Sequence, residues 1–252
     1  PLRGSPSIMV MLDDSSVNVM QNTLDGTPSG RWITRSVATA DDATMGISNS
    51  GKPLLLLVSP TNNTLATMTV EGFTGLDYTL NSGTGLGKMM GSDLDSNYYQ
   101  RIGHASPDYS SIFYTEETAN GFATTTVRTG IDLLYPIDFF VDDEDISRMV
   151  YVDDDDHMVT LATLNGTWGE ESILNTTVGD DFDSTWIDDT LYFTQVALVN
   201  NSTVLQFVEY NNGTSQITNI ANVTANAEIE ITDIDNKLVV SVIHSSTLTI
   251  YE

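Results

Sequence analysis

The chain is built from short stretches in which apolar and polar residues alternate, separated by polar turns. Six segments share one arrangement: an apolar stretch, a turn of a few residues rich in Asp, Ser, Asn or Gly, and a strongly alternating strand. They begin at Ile8, Met45, Gly103, Phe139, Ser184 and Ile229. Alternation with a period of two is typical of half-buried strands, whereas helical periodicity is absent from the sequence. The pattern predicts an all-β protein made of a repeated hairpin.

A third alternating stretch follows most of these hairpins, as at residues 31–38 and 158–166. Four antiparallel strands in about 40 residues form one blade of a β-propeller. We therefore expect a single propeller over residues 8–252, most simply with six four-stranded blades. Because a pair of β-sandwiches would give the same alternation, it is the alternative fold. Residues 1–7 are interpreted as a processed end or a cloning remnant.

Two further expectations concern the organisation of the predicted propeller. The longest gap between repeats contains six glycines from Gly72 to Gly91, which predicts an inserted loop at residues 72–100. Propellers commonly close their ring by pairing one end of the chain with the other. We therefore expect Ile8–Leu12 to pair beside Ser246–Tyr251.

One of the six segments carries a more specific motif. The unit that begins at Gly103 contains Ser106-Pro107-Asp108, followed by Ile112 and Tyr114. It resembles the S-P-D-x-x-x-x-I-x-F/Y hairpin of TolB-like propeller repeats. The other units lack the Ser-Pro-Asp turn, so the motif is sharp only here. The resemblance implies a propeller and does not imply an activity.

The charge of the chain excludes some partners and indicates an environment. It has 35 acidic and 9 basic residues and a net charge of -26. So few basic side chains argue against nucleic-acid binding, which requires a basic surface. The longest apolar run, at residues 53–58, is too short for a transmembrane helix, so direct membrane insertion is not expected. The scarcity of Lys favours a halophilic protein, located outside the cell or on its surface, with an archaeal envelope as the expected home.

Clustered carboxylates predict calcium as the cofactor, because Ca²⁺ takes six to eight oxygen ligands. Asp93, Asp95 and Asn97 follow the D-x-D-x-N start of a calcium loop, although Tyr98 stands where the sharp-turn Gly would be. A second acidic run contains Asp180, Asp181 and Asp183. The alternative is a solvated acidic surface with diffuse cations and no defined site.

Other polar and aromatic residues are candidates for surface recognition. Tyr98 and Tyr99, beside the glycine-rich segment, and Trp168, beside a glycosylation sequon, are predicted ligand contacts. Seven N-x-S/T sequons predict glycosylation, although Asn is also common in β-turns. These sequons begin at Asn62, Asn165, Asn175, Asn200, Asn201, Asn212 and Asn222.

No catalytic motif accompanies the repeats: the sequence has no Cys and no G-x-S-x-G elbow, and His104, His157 and His244 lie in different units. The sequence therefore predicts a non-catalytic, acidic binding or assembly module with a protein or glycan partner. Its oligomeric state is left open. The rival function is an extracellular glycan hydrolase that uses paired carboxylates at the propeller channel. A hydrolase is expected to hold an acid with a raised pKa in a cleft, whereas a scaffold is expected to keep its acids evenly solvated.

Overall fold

The computed structural model of the chain describes residues 7–12, 14–23, 31–40, 42–47, 53–58, 65–71, 75–80, 90–97, 99–154, 158–175, 181–234, 237–244 and 247–251. These residues form 22 β-strands and no helix, so they contain no helix that could cross a membrane. The chain divides into two compact units, Pro1–Gly130 and Ile131–Glu252. The prediction of one domain over residues 8–252 stays a prediction.

The first unit contains three antiparallel sheets in its described residues. Sheet 1 consists of β1 (Ser7–Met11), β2 (Ser16–Thr23) and β3 (Arg31–Thr39). Sheet 2 consists of β4 (Asp42–Ile47), β5 (Pro53–Val58), β6 (Leu65–Glu71) and β7 (Gly75–Leu80). Sheet 3 consists of β8 (Gly91–Leu94), β9 (Gln100–Ala105), β10 (Ser111–Thr118) and β11 (Gly121–Thr129).

The second unit likewise contains three antiparallel sheets where it is described. Sheet 4 consists of β12 (Asp138–Val141), β13 (Ser147–Val152), β14 (Met158–Asn165) and β15 (Thr167–Asn175). Sheet 5 consists of β16 (Phe182–Ile187), β17 (Thr190–Val199), β18 (Ser202–Asn211) and β19 (Thr214–Asn222). Sheet 6 consists of β20 (Glu228–Ile234), β21 (Lys237–His244) and β22 (Thr247–Tyr251).

The sheets have the order and contacts of propeller blades. Strands follow one another in chain order within each sheet, and each neighbouring pair is antiparallel. Within each unit, the first strand of a sheet contacts the first strand of the next: β1 with β4 and β4 with β8, then β12 with β16 and β16 with β20. The all-β, propeller-like prediction is confirmed. The prediction of six four-stranded blades is not, because the described residues form four sheets of four strands and two of three.

In sheet 3 the repeat predicted from the sequence is displaced by one strand relative to the other five sheets. The segment that begins at Gly103 spans β9 and β10, the second and third strands, whereas the other five segments span first and second strands. The matching hairpin of sheet 3 is β8 and β9. The sequence pattern missed β8, Gly91-Ser92-Asp93-Leu94, because only its last residue is a large apolar one. With β8 included, the first strands from sheet 2 onward begin at nearly even intervals, at residues 42, 91, 138, 182 and 228.

This correction changes the interpretation of the glycine-rich segment at residues 72–100. The outer strand of sheet 2, β7, and the first strand of sheet 3, β8, both lie within it. Residues 81–89 lie outside the described part of the chain. The predicted pairing of Ile8–Leu12 beside Ser246–Tyr251 stays a prediction; within their own sheets, β1 pairs with β2 and β22 pairs with β21.

The core of the second unit is built on the alternation of β17. Leu191 and Phe193, on one face of the strand, pack in a cluster with residues of sheet 4. Tyr192 and Val196, on the other face, pack in a cluster with residues of sheet 6. Because successive side chains of a strand point to opposite faces, a strand between two sheets must be apolar at both. This explains why β17 carries apolar residues at successive positions on both of its faces.

The turn between β8 and β9 is held by one aspartate. The Oδ1 atom of Asp95 accepts hydrogen bonds from the backbone N–H groups of Asn97 and Tyr99, each at 2.9 Å. Its Oδ2 atom accepts a hydrogen bond of 2.6 Å from the Arg101 guanidinium. Asp95 is only 5% exposed. Its charge is therefore satisfied inside the turn, and Arg101 ties the turn to the start of β9.

The turn between β12 and β13 repeats this arrangement with the same spacing. Asp142 Oδ1 accepts hydrogen bonds from the N–H groups of Glu144 at 3.0 Å and Ile146 at 2.8 Å. Its Oδ2 atom pairs with Arg148, six residues further along the chain. The shared signature is an Asp followed by an Arg at the sixth position. In both turns the Asp carboxylate pairs with an Arg on the following strand, Arg101 on β9 and Arg148 on β13.

We expect Asp95→Ala to lower the free energy of unfolding by about 2–3 kcal/mol, because two turn amides lose their acceptor and the partly buried Arg101 keeps only its pairing with Glu116. Asp93→Ala is the matched control, since Asp93 is partly buried and accepts a hydrogen bond from the N–H of the adjacent Leu94. We expect that control to cost less than about 1 kcal/mol. Urea unfolding of both variants measures the difference. Equal losses would contradict the role assigned to Asp95.

Candidate functional site

A cleft of about 720 Å³ lies where the first strands of sheets 4, 5 and 6 begin. We call it the acidic cleft. Five carboxyl side chains line it: Asp138, Asp181, Asp183, Glu228 and Glu230. Its apolar lining includes Pro136, Ile243 and Leu248. The first strands of these three sheets all begin at the cleft, so one or two carboxyl side chains from the start of each strand are brought together there.

Two of these carboxylates fasten sheet 5 to sheet 6. Asp181 Oδ2 accepts a hydrogen bond of 2.6 Å from the N–H of Ile229, and Asp183 Oδ2 accepts one of 2.7 Å from the N–H of Ile231. β20 is the edge strand of its sheet, so alternate N–H groups have no partner strand. Acids two residues apart on one strand match amides two residues apart on the next. These two hydrogen bonds therefore take the place of the backbone hydrogen bonds that a neighbouring strand would make with β20.

A third carboxylate fastens sheet 4 to sheet 5. The hydroxyl of Ser184 donates a hydrogen bond of 2.6 Å to Asp138 Oδ2. Ser184 is buried, with 6% of its surface exposed. Asp183 and Ser184 are neighbours on β16 and point to opposite sides, one toward β20 and one toward β12. The acids of the cleft thus connect the three first strands in series.

The environment of the cleft raises the pKa of three of its acids. Burial is the largest cause for Asp138, whose pKa lies well above the usual 3.8, and the negative charge of Asp183 raises it further. Burial raises the pKa of Asp183 to about 6, against the opposing hydrogen bonds from Ile231 and Ser184. Burial also raises the pKa of Asp181. The cleft therefore holds a proton close to ionised carboxylates, which is the requirement for general acid–base chemistry.

A second cleft, of about 630 Å³, lies at the opposite ends of the same strands. We call it the turn cleft. Trp186 lines it, together with the acidic turns of residues 142–144 and 188–189. The Arg148 guanidinium lies 4.2 Å from the centroid of the Trp186 ring. Asp188 and Asp189 both have positive φ angles, 47° and 60°, as two-residue hairpin turns require.

The structure places the predicted calcium ligands in different settings. Asp95 has both oxygens bonded within its turn, Asn97 is exposed in that turn, and Asp93 lies on β8. Asp181 and Asp183 meet in the acidic cleft, whereas Asp180 lies outside the described residues. Within the described part of the chain, no group of three or more His, Asp or Glu side chains is arranged to hold a metal ion.

The two predicted aromatic contacts that the structure describes, Tyr99 and Trp168, are not among the residues that line either cleft. Tyr98 lies outside the described residues, and the backbone of Tyr99 is bonded to that of Asp95 in the β8–β9 turn. Trp168 is partly buried on β15, the outermost strand of sheet 4, opposite Leu164. Sequence reasoning missed that Trp186 lines the turn cleft while packing against the core cluster that sheets 4 and 5 share. It also missed Asp138, Glu228 and Glu230, whose only signal is their position at the start of a first strand.

The described sequons lie at exposed turns and strand ends. Asn165, Asn200, Asn201, Asn212 and Asn222 are exposed. Three of them, Asn200, Asn201 and Asn212, have φ angles of 51°, 65° and 48°. Asn tolerates this left-handed region better than most residues, which is a structural reason for its use here. Asn62 and the side chain of Asn175 lie outside the described part, and glycosylation stays a prediction.

One histidine is a structural residue. His104 is fully buried, and its Nε2 atom lies 2.9 Å from Thr115 Oγ1. Burial lowers its pKa to about 4, so His104 is neutral near pH 7. His157 and the side chain of His244 lie outside the described residues.

No protein-family model and no curated protein matches the chain. Among solved structures, it is similar to the fucose-specific lectin from Aleuria aurantia, with a TM-score of 0.55 and 13% identity over 97% of this chain and 89% of the lectin. It is similar to an exo-β-1,3-galactanase from Phanerochaete chrysosporium with β-1,3-galactotriose, with a TM-score of 0.53 and 10% identity over 94% of this chain and 60% of that one.

The Hadza microbial sialidase Hz136 has a TM-score of 0.54 and 10% identity, over 93% of this chain and 58% of the sialidase. At these identities the similarities show the fold alone, which is β-propeller-like. They do not favour the β-sandwich alternative. The TolB-like repeat stays a resemblance carried by the segment around Ser106.

The raised pKa of Asp183 has a consequence for stability. In the folded state its pKa is about 6, against 3.8 ordinarily, so the folded state binds the proton more tightly. The stability that this tighter proton binding adds to the folded state is fully present below about pH 4 and is lost as pH rises through about 6. We expect Asp183→Asn to remove roughly 1.4 kcal/mol of the fall in unfolding free energy between about pH 5 and about pH 7.5.

Denaturant unfolding at several pH values measures this dependence. Asp143→Asn is the control, because Asp143 is an exposed turn residue at the other end of the strands. It is expected to leave the pH dependence of stability unchanged. An Asp183→Asn variant with the same pH dependence as the parent chain would contradict the assignment.

Proposed function

We propose that the chain recognises glycans and that the acidic cleft is its binding site. The observation that carries the proposal is a cleft of about 720 Å³ with fixed carboxylates on one side and exposed apolar side chains on the other. Carboxylates accept hydrogen bonds from sugar hydroxyl groups, and apolar side chains pack against the C–H faces of sugar rings. The cleft volume lies within the range of small-molecule sites.

The fold supports the same class of function. A propeller-like chain with similarity to a fucose-specific lectin and to a galactanase has relatives in fold whose names refer to glycans. Fold alone does not assign function. For this chain the proposal therefore depends on the cleft itself, in which Asp138, Asp181 and Asp183 stay in place because each is hydrogen-bonded to a neighbouring strand.

Hydrolysis is a second candidate function, favoured by the raised pKa values. Asp138, whose pKa burial raises well above its usual value, is the candidate general acid. Asp183, whose pKa is about 6, is the candidate base or nucleophile near neutral pH. Glycoside hydrolysis usually requires two carboxyl groups whose environments keep one protonated while the other is ionised. Without such activity, the protein would be the non-catalytic binding module that the sequence predicts.

Glycan-array binding followed by calorimetry tests the proposal. We expect Asp183→Asn and Glu230→Gln to weaken binding of a positive glycan by about tenfold or more, because each removes a charged hydrogen-bond acceptor. Glu144→Gln, in the turn cleft, is the matched control and is expected to bind like the parent chain. Equal binding by all three variants would remove the acidic cleft as the site.

Release of phenol from a panel of aryl glycosides separates hydrolysis from binding. If the chain is a hydrolase, Asp138→Asn is expected to lower the rate by roughly 10²–10⁴-fold while glycan binding persists. Binding without any release by the parent chain would decide for the non-catalytic module.

Calcium dependence and an extracellular or cell-surface location belong to the same proposal as expectations from the sequence. Thermal unfolding at constant ionic strength, in millimolar CaCl₂ against EDTA, tests the first. Specific binding is expected to raise the melting temperature by a few degrees, since a ligand at about 100 times its Kd adds about 2.7 kcal/mol. A melting temperature that follows total salt and ignores calcium would contradict a specific site.

A further inference from the structure

We propose that the acidic cleft selects glycans that carry protonated amines and rejects glycans that carry carboxylate or sulfate groups. This inference rests on the proposed glycan function and adds the charge class of the ligand. It follows from the charge balance of the cleft walls, the position of their apolar side chains and the register of sheet 6.

Among the described residues that line the cleft, no cationic side chain compensates its negative charge. Of its described lining residues, five carry carboxyl groups and none is Lys, Arg or His. Glu228 and Glu230 are exposed, and their negative charges raise the pKa of Asp181 and Asp183 respectively. Arg148, the one Arg residue of the second unit, lies elsewhere and is paired with Asp142 of the turn cleft. An incoming cation would therefore relieve repulsion, whereas an anion would add to it.

The register of sheet 6 places charge and apolar surface in a defined order. Glu228 on β20 lies opposite Ile243 on β21, which lies opposite Leu248 on β22. The next row on the same face runs from Glu230 to Ser241 and then to Ile250. Each row thus runs from a carboxylate at the first strand to an aliphatic side chain at the outer strand.

The aliphatic ends of these rows are unusually exposed. Ile243, Leu248 and Ile250 are 44%, 59% and 58% exposed, among the few large apolar side chains left open to solvent in the described residues. Ile243 and Leu248 also line the cleft. Contiguous exposed apolar side chains beside polar groups are typical of binding surfaces. A sugar ring placed on this wall would direct a substituent on its far edge toward Glu228 and Glu230.

Charge complementarity decides which substituent fits. An ammonium group donates up to three hydrogen bonds and carries the charge that the carboxylates lack. A neutral acetamido group satisfies part of the hydrogen bonding but leaves the repulsion in place. Since an ammonium also stabilises the ionised form of Asp183, whose pKa is about 6, its binding near that pH is expected to release protons.

Four ligands of similar length separate the possibilities by isothermal titration calorimetry. They are a glucosamine tetrasaccharide, its fully N-acetylated form, a galacturonic acid tetrasaccharide and tetralysine. At about pH 6 the amines are protonated and the uronates ionised. Measurements at about 50 mM and about 500 mM NaCl show how far electrostatic attraction contributes. Buffers with different ionisation enthalpies report the number of protons released.

We expect the glucosamine tetrasaccharide to bind about tenfold or more tightly than its N-acetylated form at low salt, and the difference to shrink at high salt. The galacturonic acid tetrasaccharide is expected not to bind. The double variant Glu228→Gln/Glu230→Gln should bring the amine and acetamido forms to within about twofold of each other. The double variant Asp143→Asn/Glu144→Gln removes the same charge from the turn cleft and should preserve the parent preference.

These measurements distinguish failure of the amine preference from failure of the proposed glycan function. Equal or tighter binding of the N-acetylated or galacturonic acid form, lost in Asp183→Asn, would overturn the amine preference and keep the glycan site. Tetralysine binding as tightly as the glucosamine tetrasaccharide would show an amine site with no role for the sugar. No binding by any of the three tetrasaccharides would overturn both the inference and the proposed function.

Discussion

The hydrogen bonds between carboxylates and the edge of a neighbouring first strand are the interaction on which the second unit depends. Each sheet presents its first strand as an edge, and edge amides must find acceptors. In sheets 5 and 6 these acceptors are Asp181 and Asp183, which receive the N–H groups of Ile229 and Ile231. Apolar packing on β17 brings the sheets together, and the carboxylates set the alignment of their first strands.

The same solution creates the chemistry of the acidic cleft. Acids that serve as acceptors must sit at the junction of two sheets, where burial and mutual repulsion oppose ionisation. Their pKa values rise as a result, and hydrogen bonds to neighbouring strands hold their side chains in place. A structural requirement of the edge strands therefore produces a cleft with fixed carboxylates and an available proton. Glycan recognition and hydrolysis both use this combination.

Much of the fold was predictable because it depends on local patterning. Alternation along the strands of sheets 4 and 5 identified hairpins such as Ser184–Val196, and the Asn and Asp turns between them supply the positive φ angles that the hairpins need. The four residues of β8 were missed because a short strand with one large apolar residue has no measurable period. The described residues give sheets 1 and 6 three strands each, which the local pattern could not predict, because it does not indicate how many strands a sheet contains.

The site was less predictable than the fold. The acidic runs were conspicuous in the sequence, but grouping them by proximity along the chain joined Asp181 and Asp183 to Asp180 and left out Asp138, Glu228 and Glu230. Strand pairing between sheets, with partners about 46 residues apart, decides which carboxylates meet.

Carbon-13 NMR titration of the Asp183 side-chain carboxyl tests the account most directly. A midpoint of about 6 is predicted, and a midpoint near the ordinary 3.8 would contradict the buried, charge-bearing junction from which the site is built.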